Sequence, residues 1–399
     1  MSLMPVDEAL RRVLDGVTPT PAENVDIRVA AGHVLADDLA AHMTQPPFPA
    51  SAMDGYAVQA DDVANLPAIL RIVGEAVAGQ RYAGRLGPGE SVRIFTGAPV
   101  PDGADCIVVQ ENTTRDGDKV TVTTGRYGTG QFVRPAGLDF SQGETLLLEN
   151  TRLGARHVAL AASMNRGTVS VRRKPRVALV ATGSELVEPG GEPGPDQIIT
   201  SNSVGIAAMV AALGGEPVDL GIVPDDPSAL RRCLEDGFAR MPDVLVTLGG
   251  ASVGDHDLVQ PTLRALGIEL DILKIAMRPG KPFMFGHAGA TRILGLPGNP
   301  VSALICARVF LWPLVLALLG QPNVQSMEER PLAIDLPAHG ERQEFKRATI
   351  ESDGAIRPFA RQDSAMLATL AKADALLVRP VKAPAAKAGT MVPVLPLDF

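Results

Sequence analysis

Between residues 173 and 320, short apolar runs alternate with longer amphipathic ones. RVALVAT (176–182) reads as a buried strand, and a glycine loop separates it from the helical pattern SVGIAAMVAAL (203–213). EPVDLGIV (216–223) is a second strand. Asp226-Pro227 then supplies an N-cap and a first-turn proline for PSALRRCLEDGFAR (227–240). DVLVTL (243–248) and TRILGL (291–296) are further strands, and Asn299-Pro300 starts a long apolar helix. Strands alternating with helices predict a parallel sheet covered on both faces. The run SALICARVFLWPLVLALLG (302–320) contains Arg308 and Pro313 and follows a helix-start signal, which favours a buried helix over a membrane span.

The flanks carry a different rhythm. From 46 to 141 come β-type runs (AILRIV, ESVRIF, DCIVVQ, KVTVTT) cut by Gly, Pro and Asp turns, predicting an inserted β domain. Segments 25–45 and 142–172 bracket it and are expected to pack together. After 325, PLAIDLPA, FKRATIE and DALLVRPV predict a small closing β-barrel, of a size able to fold alone. The fold class is thus multidomain α/β plus β. An elongated connecting domain takes 1–45 and 142–172, and an inserted β domain 46–141. A central α/β domain spans 173–324 and a barrel 325–399.

Composition narrows the function classes. The 399 residues are 46% hydrophobic but only 4% aromatic, with 40 glycines and 33 prolines, which suits many tight turns. The net charge of −8 argues against nucleic-acid binding, so an anionic ligand needs a local basic pocket. Cys106, Cys233 and Cys306 are far apart and lack zinc-ligand spacing, so reduced thiols in a cytoplasmic protein are expected. The start, MSLMPVDEALRR, is acidic and amphipathic and unlike a secretory leader.

In an open parallel sheet, ligands bind outside the carboxyl ends of the strands. Four loops fall there: TGSEL (182–186), VPDDP (223–227), GGASVGDHD (249–257) and LPGNP (296–300). They bring the carboxylates Glu185, Asp225, Asp226, Asp255 and Asp257. They also bring Ser184, Gly249, Gly250, Ser252, Gly254, Pro297, Asn299 and Pro300 as a candidate ligand cradle. KIAMRPGKP (274–282) adds Lys274, Arg278 and Lys281. Glycine-loop amides and a helix N-terminus, worth about half a positive charge, favour a phosphate or similar oxyanion. Carboxylates without histidine or cysteine partners favour a hard cation such as Mg²⁺, held in part through Asp257. Each element also has a plainer reading: a glycine loop as a turn, Asp225, Asp226 or Asp257 as a helix cap, Lys274 and Arg278 as solvated charges. The pattern is neither a Walker loop nor a dinucleotide-binding fingerprint.

Seven ordered motifs then add a resemblance spanning almost the whole chain. PPFPASAMDGYAV (46–58), FTGAPVPDGAD (95–105), ATGSEL (181–186), IITSNS (198–203), GGASVGDHD, MRPGKP and GLPGNPVSA (295–303) resemble the molybdopterin molybdenumtransferase family. The resemblance implies Mg²⁺-assisted insertion of molybdate into adenylated molybdopterin with release of AMP. It implies an elongated four-domain homodimer with a cleft formed between subunits. Partners would be the molybdopterin adenylyltransferase and the apoproteins of molybdoenzymes, with no nucleic acid or membrane.

Carried over by motif, Asp54 and Thr96 belong to the cleft, with Asp139 and Asp257 as further catalytic candidates. Glu185, Asp225 and Asp257 would support Mg²⁺ or phosphate, and Lys274, Arg278 and Lys281 would bind anionic groups. Arg347 and Ser364 resemble the family's oxyanion-binding pair, and Arg134 completes the set. The segment VRPAGLDFSQG (133–143) departs from the family pattern, since Leu138 stands where an acid is usual. Arg278 replaces the usual lysine, keeping the charge but changing its hydrogen-bond geometry. An adenylyltransferase of the same α/β type, or a non-catalytic scaffold of this fold, is the alternative.

Overall fold

The computed structural model describes residues 3–250, 258–322 and 327–397. They form two compact units, one of residues 24–31 and 37–170, the other of residues 1–23, 32–36 and 171–399.

The smaller unit is built on a six-stranded sheet. Its strands are Gly55–Val58 (β1), Ala68–Ala76 (β2), Glu90–Ile94 (β3), Cys106–Val109 (β4), Thr113–Asp116 (β5) and Lys119–Val122 (β6). They lie in the order β4-β1-β3-β2-β6-β5, antiparallel except for β2 beside β3. Side-chain alternation splits the apolar residues between two faces. Tyr56, Val58, Leu70, Val108 and Val120 pack on one, and Ala57, Val92, Ile94 and Ile107 on the other. Central β1 is buried along its whole length. It begins with glycine because a Cβ at Gly55 would collide with the Val108 carbonyl. Leu39–Ala40 pairs antiparallel with Thr145–Leu147, and Arg166 Nε donates to the Ala40 carbonyl at 2.9 Å, so the segments flanking this sheet pack on each other.

In the larger unit the central sheet comprises Arg176–Thr182 (β7), Glu216–Val223 (β8), Val244–Leu248 (β9), Glu269–Lys274 (β10), Pro282–Ala288 (β12) and Thr291–Leu296 (β13). Met277–Arg278 (β11) lies outside it. The order is β8-β7-β9-β13-β12-β10, and β8, β7, β9 and β13 are parallel as the alternation predicts. β12 and β10 are antiparallel, which makes the sheet mixed. Only Gly289 and Ala290 separate β12 from β13, too short a link for a parallel crossover.

Helices Asn202–Ala212 (α1) and Pro300–Leu318 (α4) cover one face through Ile206, Met209, Val210, Phe310 and Leu314. Pro227–Ala239 (α2) and Val259–Ala265 (α3) cover the other through Leu230, Leu234, Val259 and Leu263. β7 serves both faces, Val177 and Leu179 on one side and Ala178 and Val180 on the other. That explains its unbroken apolar run. α4 is long and apolar enough to cross a membrane, yet 83% of that stretch is buried inside the unit. It stays helical past Pro313, which has no N–H for an α-helical bond, by opening into a π turn at Ala307–Leu311 just before it.

The chain closes with Glu328–Pro331 (β14), Gln343–Ile350 (β15), Ile356–Pro358 (β16), Ala375–Arg379 (β17) and Met391–Pro396 (β18). The order is β11-β15-β17-β18-β14, with β16 on β15. A bridge from Leu332 to Ile356 brings the end of β14 to β16, curling the sheet into a small barrel. β11 joins this barrel from the preceding domain, parallel to β15. Cys106 and Cys306 are buried thiols and Cys233 is half-buried; burial pushes the Cys106 thiol up to about 11.

Candidate active-site cleft

A cleft of about 930 Å³ opens at the carboxyl ends of β7, β9 and β13. Gly183, Glu185, Asp225, Gly249, Gly250, Pro297, Asn299 and Pro300 all line it, so the predicted loops do converge on one sheet edge. The convergence is cross-linked. Ser184 N donates to Asp225 Oδ2 at 3.1 Å, and Asp225 N donates to Ser184 Oγ at 3.0 Å, clasping the loops after β7 and β8. Gly249 N donates to the Leu296 carbonyl at 3.1 Å, and Asn202 Nδ2 donates to the Gly298 carbonyl at 2.7 Å.

The glycines are needed for conformation and for space. Gly249 has φ +95°, and a Cβ there would sit 2.8 Å from the Thr182 carbonyl oxygen. A Cβ on Gly183 would collide with the Glu185 carboxylate, which therefore folds back over a bare backbone. Asp226 is a helix cap, its Oδ1 accepting from Ala229 N at 2.7 Å. Asp255, Asp257, Ser252 and Gly254 lie outside the described residues. Among the described residues no group of three or more His, Cys, Asp or Glu side chains could hold a metal ion. Glu185 and Asp225 remain as two carboxylates lining the cleft, and Mg²⁺ uses one or two protein carboxylates, completing its shell with water and substrate phosphate. The pair fits such an ion.

The basic segment behaves differently from the expectation that it faces these carboxylates. Of residues 274–282, only Pro282 lines the cleft. The reason is topological: β11 leaves the central sheet to pair with β15, which draws Arg278 Nε to 3.6 Å from Glu344 Oε1. Glu344 is 4% exposed and also meets Lys346 Nζ at 2.9 Å and His339 Nδ1 at 3.3 Å. Lys274 and Lys281 hold the turn through their backbones, Lys274 O accepting from Met4 N at 3.2 Å and Lys281 O from Ile275 N at 3.2 Å.

Arg347 is 1% exposed. Its Nε donates to Gln362 Oε1 at 3.2 Å and its Nη1 to the Met366 carbonyl at 3.0 Å. Burial pulls its pKa down, while the Asp363 charge opposes that shift. These bonds order the RQDSAML segment, whose Ser364 carbonyl accepts from Val301 N at 3.1 Å in the first turn of α4. Asn299 makes no side-chain cap bond there, so Ser364 satisfies an orphan donor that the motif would assign to asparagine. Ala365 lines the cleft beside Pro300.

Asp54 and Thr96 meet within the smaller unit. Asp54 Oδ1 accepts from both Thr96 N and Thr96 Oγ1 at 2.8 Å. These two bonds, aided by the Arg93 charge, hold the Asp54 carboxyl below the usual carboxylate range. Val133–Arg134 pairs with Ala50–Ser51, on the segment leading to Asp54, and Asp139 N donates to the Gln45 carbonyl at 3.0 Å. The Asp139 side chain is exposed and Leu138 is 58% exposed.

The sequence reading overlooked Asn202 and the apolar wall made by Ile198, Ile199, Leu186 and Leu258. The IITSNS motif carried part of that signal. A second cleft, of about 760 Å³, holds Arg11, Arg12, Asp15, Asp243, His287 and Arg292 near the amino ends of β9 and β13. Its charges are engaged structurally, Asp243 Oδ1 with Arg173 Nη2 at 2.7 Å and Arg292 Nη2 with the Asp15 carbonyl at 2.6 Å.

Comparison with known proteins agrees along the chain. Residues 4–165 match the MoeA N-terminal region (domain I and II). Residues 178–317 match a probable molybdopterin binding domain, and 329–397 the MoeA C-terminal region (domain IV). The molybdopterin molybdenumtransferase of a Nostoc species is 36% identical, covering 94% of this chain and 89% of that protein. That of Bacillus subtilis is 31% identical, with 98% and 94% covered. The crystal structure of a molybdopterin biosynthesis MoeA protein from Pyrococcus horikosii superposes with a TM-score of 0.87 at 30% identity, each chain covered completely. From its ordered motifs, its fold and these relatives, the chain belongs to the molybdopterin molybdenumtransferase family.

Proposed function

We propose that this protein inserts molybdate into adenylated molybdopterin and releases AMP, with Mg²⁺ assistance. The observation that carries the reading is the cleft itself. Two carboxylates, glycine-loop amides and the start of α4 share one sheet edge, a setting suited to a phosphate-bearing ligand with a hard cation. The physical task is to bring two anions together despite their repulsion, so positioning and charge compensation supply the rate and no covalent nucleophile is needed. Glu185 and Asp225 would hold the ion, with Asp257 as the third ligand named by the sequence. When bound, Mg²⁺ polarises the phosphoanhydride so that AMP leaves.

The chain's own groups do the remaining work. The Gly250 amide and the positive end of the α4 dipole orient phosphate, while Gly249 N and Val301 N, already bonded to the Leu296 and Ser364 carbonyls, hold the cradle's shape. Ser184 fixes Asp225. Lys274, Arg278 and Lys281 supply positive charge for the anionic groups, and Arg347, buried beneath the segment that carries Ser364, adds its charge and orders that segment for molybdate. Asp54 and Thr96 serve the same reaction from the smaller unit, and Arg134 and Asp139 are assigned to their neighbourhood. We further assign four domains, 1–45 with 142–172, 46–141, 173–324 and 325–399, a homodimeric state and a cytoplasmic location. An adenylyltransferase supplies the substrate and molybdoenzyme apoproteins take the product.

The test is to incubate the protein with adenylated molybdopterin, molybdate and Mg²⁺, measuring AMP release and reconstitution of a cofactor-free molybdoenzyme. Release that needs both ions supports the reading. Consumption of ATP and molybdopterin in their place identifies an adenylyltransferase, and inertness in both assays a scaffold. Asp257→Asn should retain the melting temperature, because asparagine caps as well as aspartate, yet lose most AMP release, part of it restored by added Mg²⁺.

A further inference from the structure

We infer that Arg93 is a positioning residue for Asp54, clamping the strand ends on either side of it so that its carboxylate meets Thr96. The inference rests on Asp54 taking part in the proposed reaction, and it adds a residue that neither the motifs nor that reading assigns.

The argument begins with register. On β3, Arg93 stands opposite Tyr56 of β1, and on β4 Val109 stands opposite Gly55. Side chains alternate along a strand, so Tyr56, Arg93 and Phe95 project from the same face. The guanidinium carbon lies 5.2 Å from the Tyr56 ring centroid and 4.6 Å from that of Phe95, within cation–π range of both. Two aromatic faces fix the plane of the group, and its terminal nitrogens reach in two directions. Nη1 donates to the Gly55 carbonyl at 2.9 Å, and Nη2 donates to Gln110 Oε1 at 2.6 Å.

Those two acceptors bracket Asp54. Gly55 is its chain neighbour, and Gln110 N donates to the Asp54 carbonyl at 3.1 Å. The Asp54 backbone is therefore held from the β1 side and from the β4 side by one rigid fork, while Thr96, three residues beyond Arg93, provides both donors to Oδ1. The geometry needs arginine. A lysine carries its three donors on one nitrogen, so it lacks the planar fork that lies flat on two rings while separate nitrogens reach a main-chain carbonyl and a side-chain amide. The same cation also favours the ionised form of Asp54, in the direction that the Thr96 bonds already set.

The test uses the full-length protein carrying Arg93→Lys, with Arg93→Gln as the second variant. The lysine keeps a cation over the rings, which protects the fold while removing the fork. The activity-independent readout is the Thr96 amide, followed by hydrogen exchange and its proton chemical shift in two-dimensional NMR. In the lysine variant its protection should fall by about tenfold, with an upfield shift, while the melting temperature stays near wild type. In the AMP-release assay kcat should fall by about tenfold with KM nearly unchanged, the signature of a misplaced group rather than of lost binding. In Arg93→Gln the acid limb of the pH profile should also move to higher pH.

A Thr96 amide with wild-type protection and shift in both folded variants overturns the inference. A loosened amide with unchanged kcat, accompanied by a fully active Asp54→Asn, upholds the clamp and overturns instead the role given to Asp54 in the reaction.

Discussion

Asp54 stays ionised because Thr96 spends two donors on a single oxygen, one from the main chain and one from the hydroxyl. Thr96→Val removes the second donor, so the carboxyl should titrate at higher pH, measured by carbon-13 NMR of the side chain. The sign for stability follows. A carboxyl whose folded pKa is depressed contributes stability above its unfolded pKa of about 4, and loses it as pH falls through the folded value. Thr96→Val should thus be less stable than wild type at neutral pH, with the gap closing in acid. At Arg347, alanine strips the partners of Gln362 and Met366 from a buried site, which costs about 3 kcal/mol in denaturant unfolding. The molybdate concentration needed for half-maximal activity should rise about tenfold or more. An unchanged requirement removes Arg347 from the molybdate assignment.

Elements matter here mainly through the loops that they terminate. β7, β9 and β13 were legible as apolar runs because strands buried on both faces need no polar alternation, and edge strand β8, with only Val223 buried, was legible from its place between two helical patterns. Their parallel run was legible too, and it placed TGSEL, VPDDP and LPGNP on one edge. The antiparallel β12 was not, since its pattern matches that of its neighbours and only the two-residue turn after it decides its direction. Loop chemistry gives two tests. Ser184→Ala removes the hydroxyl half of the clasp, leaving Ser184's main-chain bond to Asp225 in place; it should cost about 1 kcal/mol of stability and raise the Mg²⁺ requirement of AMP release. Gly249→Ala forces a side chain into φ +95° against the Thr182 carbonyl, so it should lose about 1–3 kcal/mol and most activity. Wild-type activity in a folded Gly249→Ala would mean that the loop's backbone is not the ligand cradle.

At the scale of the whole molecule the test is assembly. Light scattering at micromolar concentration should report about twice the chain mass of 41.8 kDa. A strictly monomeric and fully active sample would reject the homodimer.

The sequence by itself determined what depends on local spacing. Period and turn chemistry set the strands, the Asp226 cap and the glycine loops, and ordered motifs pointed to the family. Those signals act within a few residues, so composition and spacing carry them. Only the tertiary structure decided which charged groups meet. Lys274, Arg278 and Lys281 look equivalent in a nine-residue stretch, but β11 crosses to the barrel and sends Arg278 to Glu344. Arg347 enters through its motif as half of an oxyanion-binding pair, yet the barrel buries it against Gln362 and Met366. Arg93 is one arginine in a strand until β1 and β4 set Gly55 and Gln110 within its reach. Charge meets charge over a few ångströms in space, and strand pairing between distant segments sets those distances.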